Sequence, residues 1–323
     1  SSDLNNQMAE LDVATSENNI QESIAQVYIQ ILYAAESVKV NENTLQVSIA
    51  QRDRGQELLN AGSIAKSDLA QLEAQVSTDR YQLVTAQATL EDYKLQLKQL
   101  LELDGENEMN IYLPALSDEN VLAPLPTKRD VYISALSLRP EIEASKLNVE
   151  ASELGINIAK SSYFPTISLS AGIGTNHTSG SDFTFGEQVK NGWNNSIGLS
   201  VSVPIFNNRQ TKSAVQKAKL QYETSMLSLL DEQKALYKTI ESLWLDANSA
   251  QQRYAAANEK LKSTQISYEL ISEQFNLGMK NTVELLTEKN NLLQAQQEQL
   301  QAKYMAILNT QLLKFYQGDQ LAI

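Results

Sequence analysis

The chain has 323 residues, a net charge of -13, no cysteine and a single histidine, His177. No basic run or stripe exists to follow a phosphate backbone or an anionic headgroup, so nucleic acid and a polybasic lipid anchor are both excluded as partners. Without cysteine there is no disulfide framework, thiolate chemistry or Cys-ligated metal. One histidine among Gly, Ser, Thr and Asn reads as an exposed loop residue. No nucleophile–base pair, metal-ligand cluster, P-loop or glycine-rich phosphate motif is present, so neither catalysis nor a cofactor is expected.

All six prolines fall between Pro114 and Pro204, leaving both flanks free of helix breakers. No stretch of about 18 apolar residues could form a transmembrane helix. The chain opens directly into polar helical sequence at Ser1-Ser2-Asp3-Leu4. Two origins fit that start: a leader removed by processing, or a fragment of a longer protein.

From Leu4 to Leu59 the pattern is helical. Ile24, Ile31, Val38 and Leu45 recur every seven residues, with Val27 and Ala34 on the same face. Asn60-Ala61-Gly62-Ser63 supplies a turn, with Gly62 at the helix C-terminus. A second helix follows to about Leu101 with the ladder Leu69, Val76, Leu83, Leu90 and Leu97. Residues 1–102 therefore form an antiparallel helical hairpin. Residues 103–139 break the pattern: Asp104-Gly105-Glu106-Asn107, Pro114, Pro124 and Pro126 mark loop, and a short helix covers Arg129 to Ser137.

Pro140 stands at the favoured first position of another helix, over 140–163, with Glu141 near its positive end. Within 164–206 the period changes to two. Ile167, Leu169, Ala171 and Ile173 alternate with small polar residues, and Ile197, Leu199, Val201 and Val203 do the same. Each segment has the length of a tilted barrel strand. Trp193 shares the aliphatic parity, and a Gly/Ser/Asn/Thr-rich loop joins the two strands. A half-buried hairpin on an ordinary core would also alternate, but a face made only of Ser, Thr and Gly suits water better than packing. A second helical hairpin then occupies 207–316. Its first helix runs nearly 70 residues, roughly 100 Å. It turns at Asn276-Leu277-Gly278-Met279-Lys280 and returns with Leu286, Leu293, Leu300 and Ile307 in heptad register, before a tail at 317–323.

The two hairpins match at one constant offset: Asn60 with Asn276, Gly62 with Gly278, Asp68 with Glu284, Leu69 with Leu285. The expected fold is therefore mainly α, two long helical hairpins in an internal repeat, plus a short β-hairpin. The second hairpin is preceded by a helix and two strands. The repeat implies that the parent protein carries an equivalent helix and strand pair ahead of the first.

Arg139-Pro140-Glu141-Ile142, Tyr163-Phe164-Pro165-Thr166-Ile167-Ser168-Leu169, Val203-Pro204-Ile205-Phe206-Asn207 and the two turns resemble, in order and spacing, the TolC-like outer-membrane efflux family. The resemblance spans essentially the whole chain. It implies a homotrimer whose strands close one membrane barrel in outer-membrane lipid and whose helices form a periplasmic α-barrel, with 103–130 and the C-terminal tail as an equatorial belt. It also implies docking to a periplasmic adaptor protein and an inner-membrane transporter, as the passive duct of a tripartite efflux or type I secretion system. The location implied is the outer membrane of a Gram-negative bacterium, most of this chain lying in the periplasm. One departure is that two strands per protomer give a trimer only six, below the eight of the smallest barrels. A periplasmic coiled-coil adaptor or scaffold without a channel is the alternative, since long heptad hairpins serve both.

The resemblance assigns the gate to the turns. Glu284 matches an acid at the pore entrance that binds cations, although Asn281-Thr282-Val283-Glu284 is also a capping box. The second acid of the family pattern is replaced by Thr287. Lys280 matches a basic latch residue whose counterpart would be Ser67 or Asp68, on the same or a neighbouring protomer. A solvated turn lysine and a first-turn acid are the structural alternatives. Phe275 occupies the place of a latch tyrosine and cannot make its hydrogen bond.

Overall fold

The computed structural model describes residues 2–103, 111–112, 114, 121–180 and 182–321. The order is α1 (Ser2–Asn60), α2 (Lys66–Leu100), α3 (Lys128–Leu138), α4 (Pro140–Ser161), β1 (Thr166–Gly174), α5 (Phe185–Asn191), β2 (Asn194–Ser202), α6 (Gln210–Asn276) and α7 (Thr282–Gln317). Among the described residues the structure is mainly helical with one two-stranded sheet, as the sequence pattern requires. The expected Asp104-Gly105-Glu106-Asn107 loop lies outside the described residues. One expectation is corrected, because the segment joining the strands is not all loop. It contains α5, started by a reciprocal cap in which Thr184 Oγ1 accepts from Glu187 N and Glu187 Oε2 accepts from Thr184 N.

The repeat is reproduced bond for bond at both turns. Gly62 N donates to Leu59 O and Ser63 N to Leu58 O; at the matching positions of the second turn, Gly278 N donates to Phe275 O and Met279 N to Gln274 O. Both glycines are left-handed, with positive φ, a conformation that disfavours any side chain. The helices leaving the turns also correspond, α2 starting at Lys66 and α7 at Thr282. They are capped unequally. Asn281 and Glu284 complete a capping box, whereas Ala65 has no side-chain oxygen and only Asp68 reaches back to Ala65 N, at 3.0 Å.

The chain folds as two compact units. One comprises Ser1–Glu10 and Ala144–Asp231. In it β1 and β2 pair antiparallel, Ile167 opposite Val201, Leu169 opposite Leu199, and Ile173 opposite Asn195. The other face carries Thr166, Ser168, Ser170, Gly172, Ser196, Gly198, Ser200 and Ser202. A Cβ on Gly198 would stand 3.0 Å from Ser170 Oγ, so that side chain would have to shift slightly to admit one. Every residue of both strands is exposed. The passage from β2 into α6 turns through Asn208 and Arg209, both at positive φ. In the same unit Ser152 and Ser225 join α4 to α6 at 2.8 Å.

The other unit comprises Leu11–Glu143 and Glu232–Ile323 and holds the core. None of the ladder residues read from the sequence is exposed: Ile31, Leu45, Leu69, Val76, Leu97, Leu293, Leu300 and Ile307 are buried, and Ile24, Val38, Leu83, Leu90 and Leu286 half-buried. Three apolar clusters follow one another along the unit. Beside the turns, Leu58, Leu72, Phe275 and Leu285 pack together. Leu72 settles against Gly55, where a Cβ would approach its Cδ1 to 2.4 Å. Farther along α1, α6 and α7, the second cluster includes Ile29, Leu32, Tyr254, Leu300 and Ile307. The third gathers Val131, Ala135, Ile142, Ile240, Leu313 and Tyr316 from α3, α4, α6 and α7.

Side chains hold the irregular residues before α3 by their carbonyls. Gln251 Nε2 donates to Val121 O and Ala123 O, and Trp244 Nε1 donates to Pro126 O at 3.0 Å. These three carbonyls thereby find side-chain donors in place of a backbone ladder.

Candidate functional site

The candidate residues at the turns lie in the second unit, around a recess of about 330 Å³ lined by Leu58, Ser63, Asp68, Phe275, Lys280 and Glu284 among others. Lys280 Nζ donates to Glu284 Oε1 at 2.5 Å, one turn apart. Glu284 also completes the cap, its Oε2 accepting from Asn281 N and its own N–H donating to Asn281 Oδ1 at 2.9 Å. The Lys280 hydrogen bond and then the Asn281 amide hold the Glu284 carboxyl below the usual glutamate range. Pairing and capping thus coexist on one side chain.

Asp68 lines the same recess, but its carboxylate serves Ala65 N, and Lys280 pairs within its own hairpin. Ser67 is exposed. Thr287 Oγ1 donates back to Val283 O at 2.7 Å. Phe275 is 2% exposed and forms part of the turn cluster. On the strands, Ile167, Leu169, Ile173, Leu199 and Val201 share one face, as their parity requires. Among the described residues no group of three or more His, Asp or Glu is placed to hold a metal ion.

Two charged clusters escaped sequence reasoning. The first is Ser48 (α1), Asp79 (α2) and Lys289 (α7). Lys289 Nζ donates to Asp79 Oδ2 and to Ser48 Oγ, Ser48 Oγ contacts the same carboxylate oxygen, and Gln75 Nε2 donates to Asp79 Oδ1 at 2.9 Å. The ion pair is almost out of water, with side-chain exposures of 3% and 1%. Burial pulls the Lys289 ammonium below its ordinary pKa, and Asp79 opposes that pull. The legible signal was position: Asp79 lies three residues after Val76 and Lys289 three after Leu286, each beside a ladder residue on the same helix face.

The second is Arg139, which the sequence offered only as part of a motif. Its side chain is 7% exposed, with Nη2 at 2.6 Å from Glu22 Oε1 and Nε at 3.2 Å from Glu141 Oε1. The guanidinium lies 3.8 Å from the Tyr316 ring centre. One side chain therefore ties α1, the start of α4 and the end of α7. Burial works against its charge, but Glu22, Tyr316 and Glu141 outweigh that and raise its pKa.

Comparison with known proteins agrees with this architecture. The chain is 24% identical over 294 residues to the outer membrane efflux protein BepC of Brucella suis biovar 1, covering 90% of this chain and 61% of that protein. It is 24% identical over 304 residues to the outer membrane protein TolC of Escherichia coli, covering 91% and 60%. It thus spans about 60% of the length of these relatives. Among solved structures, the outer-membrane channel OprN superposes with a TM-score of 0.80 at 20% identity, over 99% of this chain and 70% of that one. CusC superposes with a TM-score of 0.82 at 19% identity, over 98% and 72%. The fold is therefore that of these α-barrel channels. The model of the outer membrane efflux protein family matches residues 131–318, more than half of the chain, so the chain belongs to that family.

Proposed function

We propose that this chain is the greater part of a passive outer-membrane exit duct, one protomer of a trimer that conducts solutes and catalyses nothing. The observation that carries the reading is the two-faced hairpin. One face of β1 and β2 is aliphatic but for Asn195, the other is only Ser, Thr, Gly and Asn194, and both are exposed in one chain. Lipid on the first face and water on the second account for both compositions. An adaptor or scaffold has no use for such a pair. The helices also expose apolar residues that a neighbouring copy would cover, among them Tyr81, Val84 and Leu95 on α2.

In this reading the strands sit in the outer membrane of a Gram-negative bacterium, and the helical hairpins stand in the periplasm. The turns meet a periplasmic adaptor and an inner-membrane transporter that selects the cargo and supplies the energy. Threefold symmetry repeats Lys280 and Glu284 around the entrance. Lys280 pairs with Glu284 within one chain and latches the closed entrance by reaching Asp68 or Ser67 of the neighbouring protomer. Breaking that latch leaves the ring of Glu284 carboxylates free to attract cations. Thr287, back-bonded to its helix, adds no charge there.

The experiment is planar-bilayer recording of the full-length parent. It should conduct, and Lys280→Glu and Asp68→Lys should each raise single-channel conductance. A parent that inserts as a trimer yet never conducts sinks the duct; conduction unchanged by both variants sinks the latch alone.

A further inference from the structure

We propose that Ser48, Asp79 and Lys289 form a fixed pivot that fastens the two hairpins of one protomer to each other, confining movement of the turns to the segment beyond it. Only the bearing of this pivot on channel opening rests on the duct reading.

The cluster is set back from the turns. Ser48 stands before the end of α1 at Asn60, and Lys289 stands after the start of α7 at Thr282. At the helical rise these separations are roughly 18 Å and roughly 11 Å. On the turn side the hairpins meet through the apolar cluster of Leu58, Leu72, Phe275 and Leu285. Apolar contact has no direction, so it tolerates small shifts between helices. The polar links beyond the pivot lie near water: Arg54 Nη2 donates to Asn276 O at 3.2 Å, and Lys280–Glu284 stays within one hairpin.

The pivot differs in both respects. Its bonds are directional, and separating them would leave a charge out of water with no partner, which costs far more than sliding an apolar contact. It also joins three of the four helices, and a neighbouring bond brings in the fourth. Asp79 and Ser48 bring α2 and α1, Lys289 brings α7, and one turn from Ser48, Gln51 Nε2 donates to Tyr268 OH of α6 at 2.8 Å. Heptad ladders by themselves permit a slip of one whole heptad with apolar contacts preserved, and a single buried polar match removes that freedom.

The absence of cysteine allows site-directed spin labels in the 323-residue chain. One pair, Asn60→Cys with Leu277→Cys, reports across the turns. Another, Thr89→Cys with Gln301→Cys, reports beyond the pivot on the opposite side. Electron–electron distance measurements should give a distribution at least twofold wider for the turn pair than for the other. Asp79→Asn and Lys289→Gln should each widen the second distribution at least twofold. If a single variant fails to fold, Asp79→Leu with Lys289→Met removes both charges while keeping a packed layer, and the second distribution should still be wide.

Equal widths for the two pairs in the unmutated chain would overturn the pivot. So would a second distribution left narrow in any folded variant lacking the ion pair. A parent that fails to conduct would remove the duct reading and leave these widths untouched.

Discussion

Arg139→Met tests whether one buried guanidinium fastens the far end of the helical unit. Methionine keeps an apolar stem of similar reach, so the change isolates the charge. It leaves Glu22 and Glu141 without their cation at side-chain exposures of 19% and 25%. Removing one partner of a buried pair costs about 3–5 kcal/mol. Partial access of both acids to water places this case near the lower end, about 3 kcal/mol. The ring stacking on Tyr316 adds about 1 kcal/mol, not fully independently. The expected loss is therefore about 3–4 kcal/mol. Trp193→Phe makes Trp244, which packs against the same cluster, the sole tryptophan reporter in urea titrations. Glu22→Gln in the same cycle should show a coupling of about 2 kcal/mol with Arg139. A loss under about 1 kcal/mol with no coupling would refute the reasoning, since a guanidinium so placed cannot be both buried and idle.

Three further outcomes follow from the same geometry. The Glu284 carboxyl should titrate below its ordinary value of 4.5, and Lys280→Met should move that midpoint back up in carboxyl-resolved NMR. Its depressed pKa means the stabilisation is present above the ordinary value and lost as pH falls through the lower one; a midpoint indifferent to Lys280→Met removes the ion pair from the account. Tyr304, pushed up to about 12 by burial and then by Glu36, stabilises the fold below its ordinary value of 10. That contribution is lost as pH rises from 10 towards 12, so Tyr304→Phe should flatten the alkaline loss of helicity, and an identical profile would contradict it. In the full-length parent, Leu199→Arg should impair membrane insertion by about 2–4 kcal/mol, whereas Ser200→Arg should insert and shift selectivity towards anions. Equal tolerance at both positions would deny the strand its two faces.

Regular elements were legible because each advertises a period. The heptads of α1, α2 and α7 mark their buried seams, and alternation from Thr166 to Gly174 fixed the strand faces before any pairing was visible. The repeat carried the turns, since Gly62 and Gly278 must both adopt positive φ. The helix α5 does not stand out in the sequence although Thr184 and Glu187 spell its cap, because the surrounding Gly, Ser and Asn read as loop. At the turns, the sequence supplied Lys280, Glu284 and Asp68 without saying which acid the lysine takes. Reach decides that: Glu284 lies one turn along the same helix start, whereas Asp68 belongs to the other hairpin.

Local order in this protein is thus written in sequence, because periodicity, capping and glycine at turns act over a few residues. Ser48, Asp79 and Lys289, like Glu22, Arg139 and Tyr316, lie far apart along the chain, and nothing local pairs one with another. Their charges mean solvated surface until folding removes the water. Only tertiary packing determined which side chains were left to neutralise one another.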